Sequence, residues 1–596
     1  MKRKLLFFLG LPTVLSVASL TSCKKEKVEF EIGEWNNGNN NNSGDKNNPN
    51  HPVTPTPKPQ PQPETPVTPT PQPQPETPEG ENNVQPNPQP NPEEIPEIPS
   101  FPFPNFYTND SYPEYVNRYN EISANNSNPE LTKNSIYKEI YDRSFSIQTV
   151  TRLNEPGNPL LAIDQGTGWV LDYSWKNEEH TEISLFIATN FHVLSNFSNS
   201  WGNENDKKLG YDDPSGNTVA GFALGKASLE NFDFGKTLNN KTNINAGVEY
   251  ISNIDILTNP SLGFRGAAHA TTHENSFNNP VIIFAGIDYI DDFAYNQFAE
   301  DIKTKFNVFK QNNYNNYKAI IDWQNERNEK IPFYTDFGVI KLDVNLATAS
   351  SKMNTWIQNA VNAVNQYINR TKTLTLPNID VTESYLPTLD YLSKGKNLSN
   401  NNPVNSYALS NAKNLYIAGY PRDTNGRTYF AKNNPTERDS DEISYFKIKN
   451  NKTAFTYSKN DASTRMGDSM SIYPYVWNRL FVESYGFNYN IKFSSLYYGA
   501  SGSVVYNDFG EIVGIYNGVS SSVQFGDLLK SATMAPLLQS EDILLDNGKT
   551  IYAYNLIDGS NKNKYPHQTT SYREQLIKLY GENNLKTALF PNGVNK

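Results

Sequence analysis

From Val53 to Pro104, 19 of 52 residues are proline, many at alternate positions, in an imperfect repeat that passes through Val53-Thr54-Pro55-Thr56-Pro57 and again through Val67-Thr68-Pro69-Thr70-Pro71. Proline fixes φ and has no backbone N–H, so such a tract neither pairs into a sheet nor winds into an α-helix. The run ahead of it, Asn36 to Asn50, is Asn- and Gly-rich and offers nothing to bury. Residues 24–105 are therefore expected to stay disordered or extended, a tether rather than a domain. As polyproline II, at ~3.1 Å per residue, Val53 to Pro104 reaches roughly 160 Å. Whatever folds lies between residues 106 and 596.

The start of the chain gives the tether something to hang from. Met1-Lys2-Arg3-Lys4 is basic, Leu5 to Leu20 is mostly apolar, and small residues close the segment. That pattern predicts an export signal over residues 1–22, too short to span a bilayer as a helix. The ending Leu20-Thr21-Ser22-Cys23 resembles a lipobox, with serine where glycine or alanine is commoner, and makes Cys23 the candidate acylated residue. A lipid anchor on the outer face of a bacterial membrane follows as an expectation. No cysteine lies beyond Cys23, so the mature domain has no disulfide framework, thiol redox chemistry or thiolate metal site. A net charge of −11 does not suggest a nucleic-acid partner.

Beyond residue 106 the pattern is one of strands. A partly helical segment is expected over 106–143. Ser144 to Val150 alternates, Gly166-Thr167-Gly168 reads as a turn entering a strand, and Ile183 to Ala188 is apolar and runs into Thr189-Asn190-Phe191-His192. Residues 196–330 read as loop-rich, with short strands at Phe222-Ala223-Leu224 and Val281 to Ala285. Thr335 to Val344 places an acid at the mouth of an apolar strand. Ser351 to Arg370 repeats apolar residues at three- and four-residue steps and predicts an amphipathic helix. Strands follow at Asn414 to Pro421 and Glu511 to Gly518, and a short helix at Ser571 to Tyr580. Many strands separated by turn signals predict a mainly β fold, a sandwich or barrel with long loop and helical insertions.

Tyr498-Gly499-Ala500-Ser501-Gly502-Ser503-Val504 carries the clearest chemistry. A serine becomes a nucleophile only when a base removes its proton. The glycines allow a tight turn that exposes the hydroxyl and frees neighbouring N–H groups. Of the six histidines, His192 stands at the end of an apolar strand. His51 lies in the tether, and His180 and His567 lie in polar loops. His269 and His273 have metal-ligand spacing but no third ligand, and no metal or cofactor is expected. Asp336 is the preferred orienting acid over Asp292, which no strand follows. Asp288, Asp291 and Asp292 offer calcium-type oxygen ligands, but a solvated acidic loop is the simpler reading. The order His, Asp, Ser is that of the chymotrypsin arrangement.

Gly166-Thr167-Gly168-Trp169, Thr189 to Val193, Asp336 to Ile340 and Gly499 to Ser503 resemble the blocks of bacterial trypsin-like serine peptidases. With Ile140 to Ile147 and Ser571 to Leu576 added, the chain from about 107 to 590 resembles the mycoplasma immunoglobulin protease family of surface lipoproteins. The resemblance implies a chymotrypsin-like double β-barrel, with a first barrel over 144–345, a helical connector over 346–410, a second barrel over 411–540 and a tail over 541–596. It implies His192 as general base, Asp336 as its orienting acid and Ser501 as nucleophile, with the N–H groups of Gly499 and Ser501 as oxyanion hole. Ser495, Gly514, Tyr516 and Asn517 would border the substrate; a serine at 495 does not support a preference for Lys or Arg. The implied substrate is host immunoglobulin heavy chain, and a companion antibody-binding lipoprotein that presents it is the implied partner. A silent antibody-binding or adhesin lipoprotein, or a broad nutritional surface peptidase, are the rival readings.

Overall fold

The computed structural model describes residues 132–596, apart from 155–159, 196, 198–208, 212, 214–215, 229–246, 255–262, 266–270, 328, 374–414, 423–426, 434–456, 465–471, 475–476, 478, 483, 493–495, 508–509, 520–531 and 546. The leader, Cys23 and the tether lie outside the described residues. Helix α1 (Lys133–Arg143) opens with a capping box between Thr132 and Ser135. It leads directly into β1 (Ser144–Leu153), followed by β2 (Leu160–Trp175), β3 (Glu182–Thr189), β4 (Thr218–Ala227), β5 (Val248–Ser252), β6 (Gly263–Arg265), β7 (Thr271–His273) and β8 (Val281–Ile287). Two helices, α2 (Asp292–Asn296) and α3 (Ala299–Arg327), separate β8 from β9 (Tyr334–Asn345). Among the described residues these nine strands form one sheet, in the order β7-β5-β4-β1-β2-β3-β9-β8, with β6 parallel to β2.

After α4 (Ser351–Thr373) come β10 (Leu415–Gly419), β11 (Ala431–Lys432), β12 (Tyr457–Thr464), β13 (Ile472–Pro474), β14 (Leu480–Val482), β15 (Phe487–Lys492), β16 (Val504–Asn507), β17 (Ile512–Val519) and β18 (Ala532–Ala535). Seven of them form a second sheet, in the order β11-β10-β16-β17-β18-β15-β12. Neither sheet is seen to close on itself among the described residues, so the architecture is mainly β with two large sheets and few helices. The C-terminal region adds short ribbons and α5 (Tyr572–Tyr580), N-capped by Ser571. No described helix is long and apolar enough to cross a membrane.

The period-two alternation of strands explains how the second sheet serves two cores. Val504 and Tyr506 face the larger core that also holds β1–β3, β8, β9 and both α1 and α4, whereas Val505 faces a smaller one with Leu415, Ile417, Val513 and Tyr516. On α4 the expected stripe is buried: Met353, Ile357, Ala360, Val361, Val364 and Ile368. A buried polar network ties these layers together. Arg370 of α4 grips Glu139 of α1 through two bonds of 2.7 and 2.8 Å, and donates to Gly510 O at the tip of the β16–β17 hairpin. Tyr506 donates to Glu139 at 2.9 Å and accepts from Arg143 at 2.7 Å.

Two expectations need correction. Gly166-Thr167-Gly168 is not a turn; it lies inside the 16-residue strand β2. Its glycines serve close approach instead. A Cβ on Gly168 would stand 2.8 Å from the Ile187 side chain, and one on Gly166 2.6 Å from Val193. The stretch 196–330 is less loop-rich than its composition implies, because the 29-residue α3 crosses it with a break in helical geometry at Tyr317. Only Ile302, Ile321 and Gln324 of α3 are buried, so the helix has almost no apolar stripe to betray it.

Candidate active site

The site is built where β3 and β9 lie side by side. Thr189, the last residue of β3, pairs with Gly338 of β9. Asn190 then starts a single 3-10 turn, Phe191–Leu194, that lifts His192 off the strand end. Phe191, Val193 and Leu194 are buried, which leaves the imidazole as the part of this turn that faces outward. Asp336, two residues before Gly338, meets it there. Its Oδ2 lies 2.8 Å from His192 Nδ1, and its Oδ1 accepts the His192 backbone N–H at 3.0 Å. The side-chain amide of Asn190 donates to Asp336 O at 2.8 Å and fixes the strand beneath the carboxylate. A carboxylate only accepts, so in this contact Nδ1 carries the proton.

Ser501 approaches from the second sheet. Its turn, between β15 and β16, is stapled to β2, which is tied in turn to the end of β3. Thr167 N–H donates to Ser501 O at 2.8 Å, and Thr189 Oγ1 donates to Thr167 O at 2.8 Å. The space above Gly166 is shared by Val193, the neighbour of His192, and by Ser501 O. Gly502 has φ +93°, and a Cβ there would fall 2.0 Å from Thr167 O and 2.6 Å from Thr189 Oγ1. Gly499 has φ +95°, and a Cβ there would fall 2.8 Å from the Gln165 side chain and 2.9 Å from Tyr420 O. Both glycines are thus required twice, by backbone angle and by space.

Within this turn the N–H groups divide. Ala500, Gly502 and Ser503 donate to the carbonyls of Tyr497, Tyr516 and Ala500 at 3.1, 2.9 and 3.0 Å. Gly499 and Ser501 N–H donate to no group among the described residues. Two unengaged donors flanking one serine can stabilise a negatively charged oxygen. His192 and Asp336 are thus in direct contact, and the Ser501 turn is bonded to β2 at Thr167, next to Gly166, over which Val193 also stands.

The other sequence candidates fall elsewhere. Ser495 lies outside the described residues. Gly514 sits under β18, where a Cβ would be 2.6 Å from Ala535 O. The Tyr516 ring is buried in the smaller core with its hydroxyl on Leu496 O at 2.9 Å, while its backbone brackets the turn through bonds to Gly502 and Ser503. Asn517 accepts from Thr533 at 2.8 Å. Asp292 and Asp288 share the ammonium of Lys330, each at 3.0 Å, and Asp291 pairs with His567 at 2.9 Å. His180 stacks on Trp175, and His269 lies outside the described residues. Among the described residues no three His, Cys, Asp or Glu side chains cluster as metal ligands. Sequence reading missed the parts played by Thr167, Thr189, Asn190 and Ser503. All four sit inside the recognised motifs, and their polarity within apolar surroundings was the available signal.

The sequence profile of the family described as Mycoplasma immunoglobulin protease matches residues 134–518, more than half of the chain. An uncharacterized lipoprotein of Mycoplasma capricolum subsp. capricolum is 40% identical over 482 residues, which cover 79% of this chain and 70% of that protein. A membrane-associated lipoprotein of Ureaplasma parvum serovar 3 is 24% identical over 505 residues, or 78% of this chain and 54% of the relative. A solved structure of the mycoplasma MIB and MIP proteins aligns at 15% identity and a TM-score of 0.37, covering 73% of this chain and 60% of that one. The chain belongs to the mycoplasma immunoglobulin protease family.

Proposed function

We propose that the protein is a lipid-anchored extracellular serine endopeptidase that cleaves host immunoglobulin heavy chain. The observation that carries this is the His192 Nδ1 to Asp336 contact of 2.8 Å beside a serine turn with two N–H groups that donate to nothing among the described residues. In this reading His192 Nε2 takes the Ser501 proton as Oγ bonds to the scissile carbonyl carbon. The N–H groups of Gly499 and Ser501 hold the oxyanion. The C–N bond then breaks, the leaving amine takes the proton from His192, and water releases the acyl group by the same steps. No cofactor is needed. Family membership supports the choice of substrate, and a companion antibody-binding lipoprotein that presents the antibody belongs to the same reading.

The finer architecture is part of the proposal. Residues 144–345 and 411–540 are read as two chymotrypsin-like barrels joined by a helical connector over 346–410, with 106–143 leading in and 541–596 trailing. The strands of the two large sheets come from those two stretches, which supports the division. Ser495, Gly514, Asn517 and the backbone of Tyr516, whose ring is buried in the smaller core, are assigned to the substrate-side wall. Residues 1–22 are the signal, Cys23 carries the lipid, and 23–105 hold the enzyme away from the membrane. Lipoprotein relatives support the anchor.

The test compares wild type with Ser501→Ala on intact immunoglobulin G and on casein, with the products weighed by mass spectrometry. Discrete heavy-chain fragments from wild type alone are expected. Antibody that is retained but never cut would favour a binding protein, and equal digestion of casein a nutritional peptidase.

A further inference from the structure

In a trans peptide unit the C=O of one residue and the N–H of the next point in opposite directions. Holding a carbonyl therefore aims the N–H that follows it. Around Ser501 four successive carbonyls are held. Tyr498 O accepts Arg422 N–H at 2.7 Å, and Gly499 O accepts the Thr167 hydroxyl at 3.0 Å. Ala500 O accepts the Ser503 hydroxyl at 2.6 Å and its N–H at 3.0 Å, and Ser501 O accepts Thr167 N–H at 2.8 Å. The first and third of these aim the N–H groups of Gly499 and Ser501, the two that donate to nothing described. The second fixes the peptide unit between them.

We propose that Thr167 and Ser503 are positioning residues for the peptidase reaction: before substrate arrives the Ser503 hydroxyl aims the Ser501 N–H, and the Thr167 hydroxyl fixes the peptide unit that links it to the Gly499 N–H. This rests on the reading of Ser501 as nucleophile. Neither hydroxyl touches the scissile bond. Both side chains are buried, at 0% exposure, and both are pressed by β10. A Cβ on Gly419 would stand 2.0 Å from Ser503 Oγ and 2.9 Å from Thr167 Oγ1, so only glycine leaves them room. The Thr167 oxygen already accepts Tyr420 N–H at 2.9 Å, which directs its own single proton to Gly499 O. The first sheet thereby sets the geometry of a loop that belongs to the second. Such pre-alignment matters because oxyanion donors act only if they need not reorganise as charge develops.

The experiment follows covalent labelling of the full-length protein by a fluorophosphonate probe. Ser501 Oγ bonds to phosphorus as fluoride leaves, His192 takes the hydroxyl proton, and the phosphoryl oxygen occupies the oxyanion position. The maximal labelling rate and the half-saturating probe concentration are measured separately, beside the thermal unfolding midpoint. Thr167→Val should lower the maximal rate about ten- to a hundredfold, with the half-saturating concentration unmoved, since misaligned oxyanion donors affect the transition state most. Thr167→Ser, which keeps the hydroxyl, should restore it, whereas a purely structural role would not follow the hydroxyl. Ser503→Ala keeps the Ser503 N–H bond and should slow labelling less, by about fivefold on the same grounds. A folded Thr167→Val that labels at the wild-type rate would overturn the proposal, as would a Thr167→Ser no faster than Val. If Thr167→Val does not fold, a wild-type rate in Ser503→Ala overturns it. Wild-type protein that is not labelled at Ser501 would overturn the underlying reading, and this proposal with it.

Discussion

His192 is held at two points by one carboxylate, and this double grip decides what each substitution does. Asp336 receives both the ring and the backbone N–H of His192. Asp336→Asn keeps the shape but presents an amide donor or a weaker acceptor to Nδ1, so the wrong ring nitrogen is protonated. We predict a fall of about 10⁴ in kcat with the fold intact, as for the same exchange in the chymotrypsin triad. Turnover and near-UV circular dichroism on the same sample check it, and activity within tenfold of wild type would remove Asp336 from its assigned role. Gly502→Ala is a different kind of change. It meets a positive φ and the Thr167 carbonyl at 2.0 Å, backbone that cannot step aside. A cost of at least about 1–3 kcal/mol is expected from the strained φ/ψ region, read by denaturant unfolding together with lost activity.

At the level of elements, the β16–β17 hairpin that follows Ser501 is anchored from behind by α1 and α4 through Glu139, Arg143, Arg370 and Tyr506. Arg370→Met strands the carboxylate of Glu139, which is 6% exposed, without its bidentate partner. Leaving one member of a buried pair uncompensated costs about 3–5 kcal/mol. The surface pair Lys138 to Asp142 should cost under about 1 kcal/mol when broken, and urea midpoints of the two variants give the comparison. Much of this layer was legible in the chain. The apolar run of β3 into His192, the acid near the start of β9, the strand β17 and the α4 stripe all follow from period and composition. The chymotrypsin order of the motifs pointed to the His192 and Asp336 contact. What escaped depended on partners distant in sequence. Gly166 and Gly168 look like turn residues until Val193 and Ile187 are seen packed over them. The helix α3 buries too little to imprint a period, and Thr167 reveals its two-sheet role only when Ser501 lies against it.

For the whole molecule, two buried acids make stability depend on pH. Burial raises Glu511, at the same hairpin, from 4.5 to about 8, against the opposing effects of its bond from Asn507 and of Arg370. The folded state then holds a proton that the unfolded chain releases, so stability falls as pH rises through 4.5 to 8. Burial likewise raises Asp172, under the C-terminal tail, from 3.8 to about 6, with the same sign over a lower window. We predict that Glu511→Gln flattens the decline in unfolding midpoint between pH 5 and pH 8, measured calorimetrically; an unchanged slope would show that Glu511 titrates normally. The anchor is tested by Cys23→Ser, which should lose palmitate labelling and move the protein from the membrane fraction to the medium. The account as a whole stands on a serine in the second sheet activated by a histidine and an aspartate in the first. Its most direct test is tandem mass spectrometry of the protein after reaction with a serine-directed fluorophosphonate. The expected result is one adduct, on the peptide holding Ser501, lost in His192→Ala and greatly reduced in Asp336→Asn. An adduct on another residue, or one on Ser501 that forms equally well without His192, would contradict it.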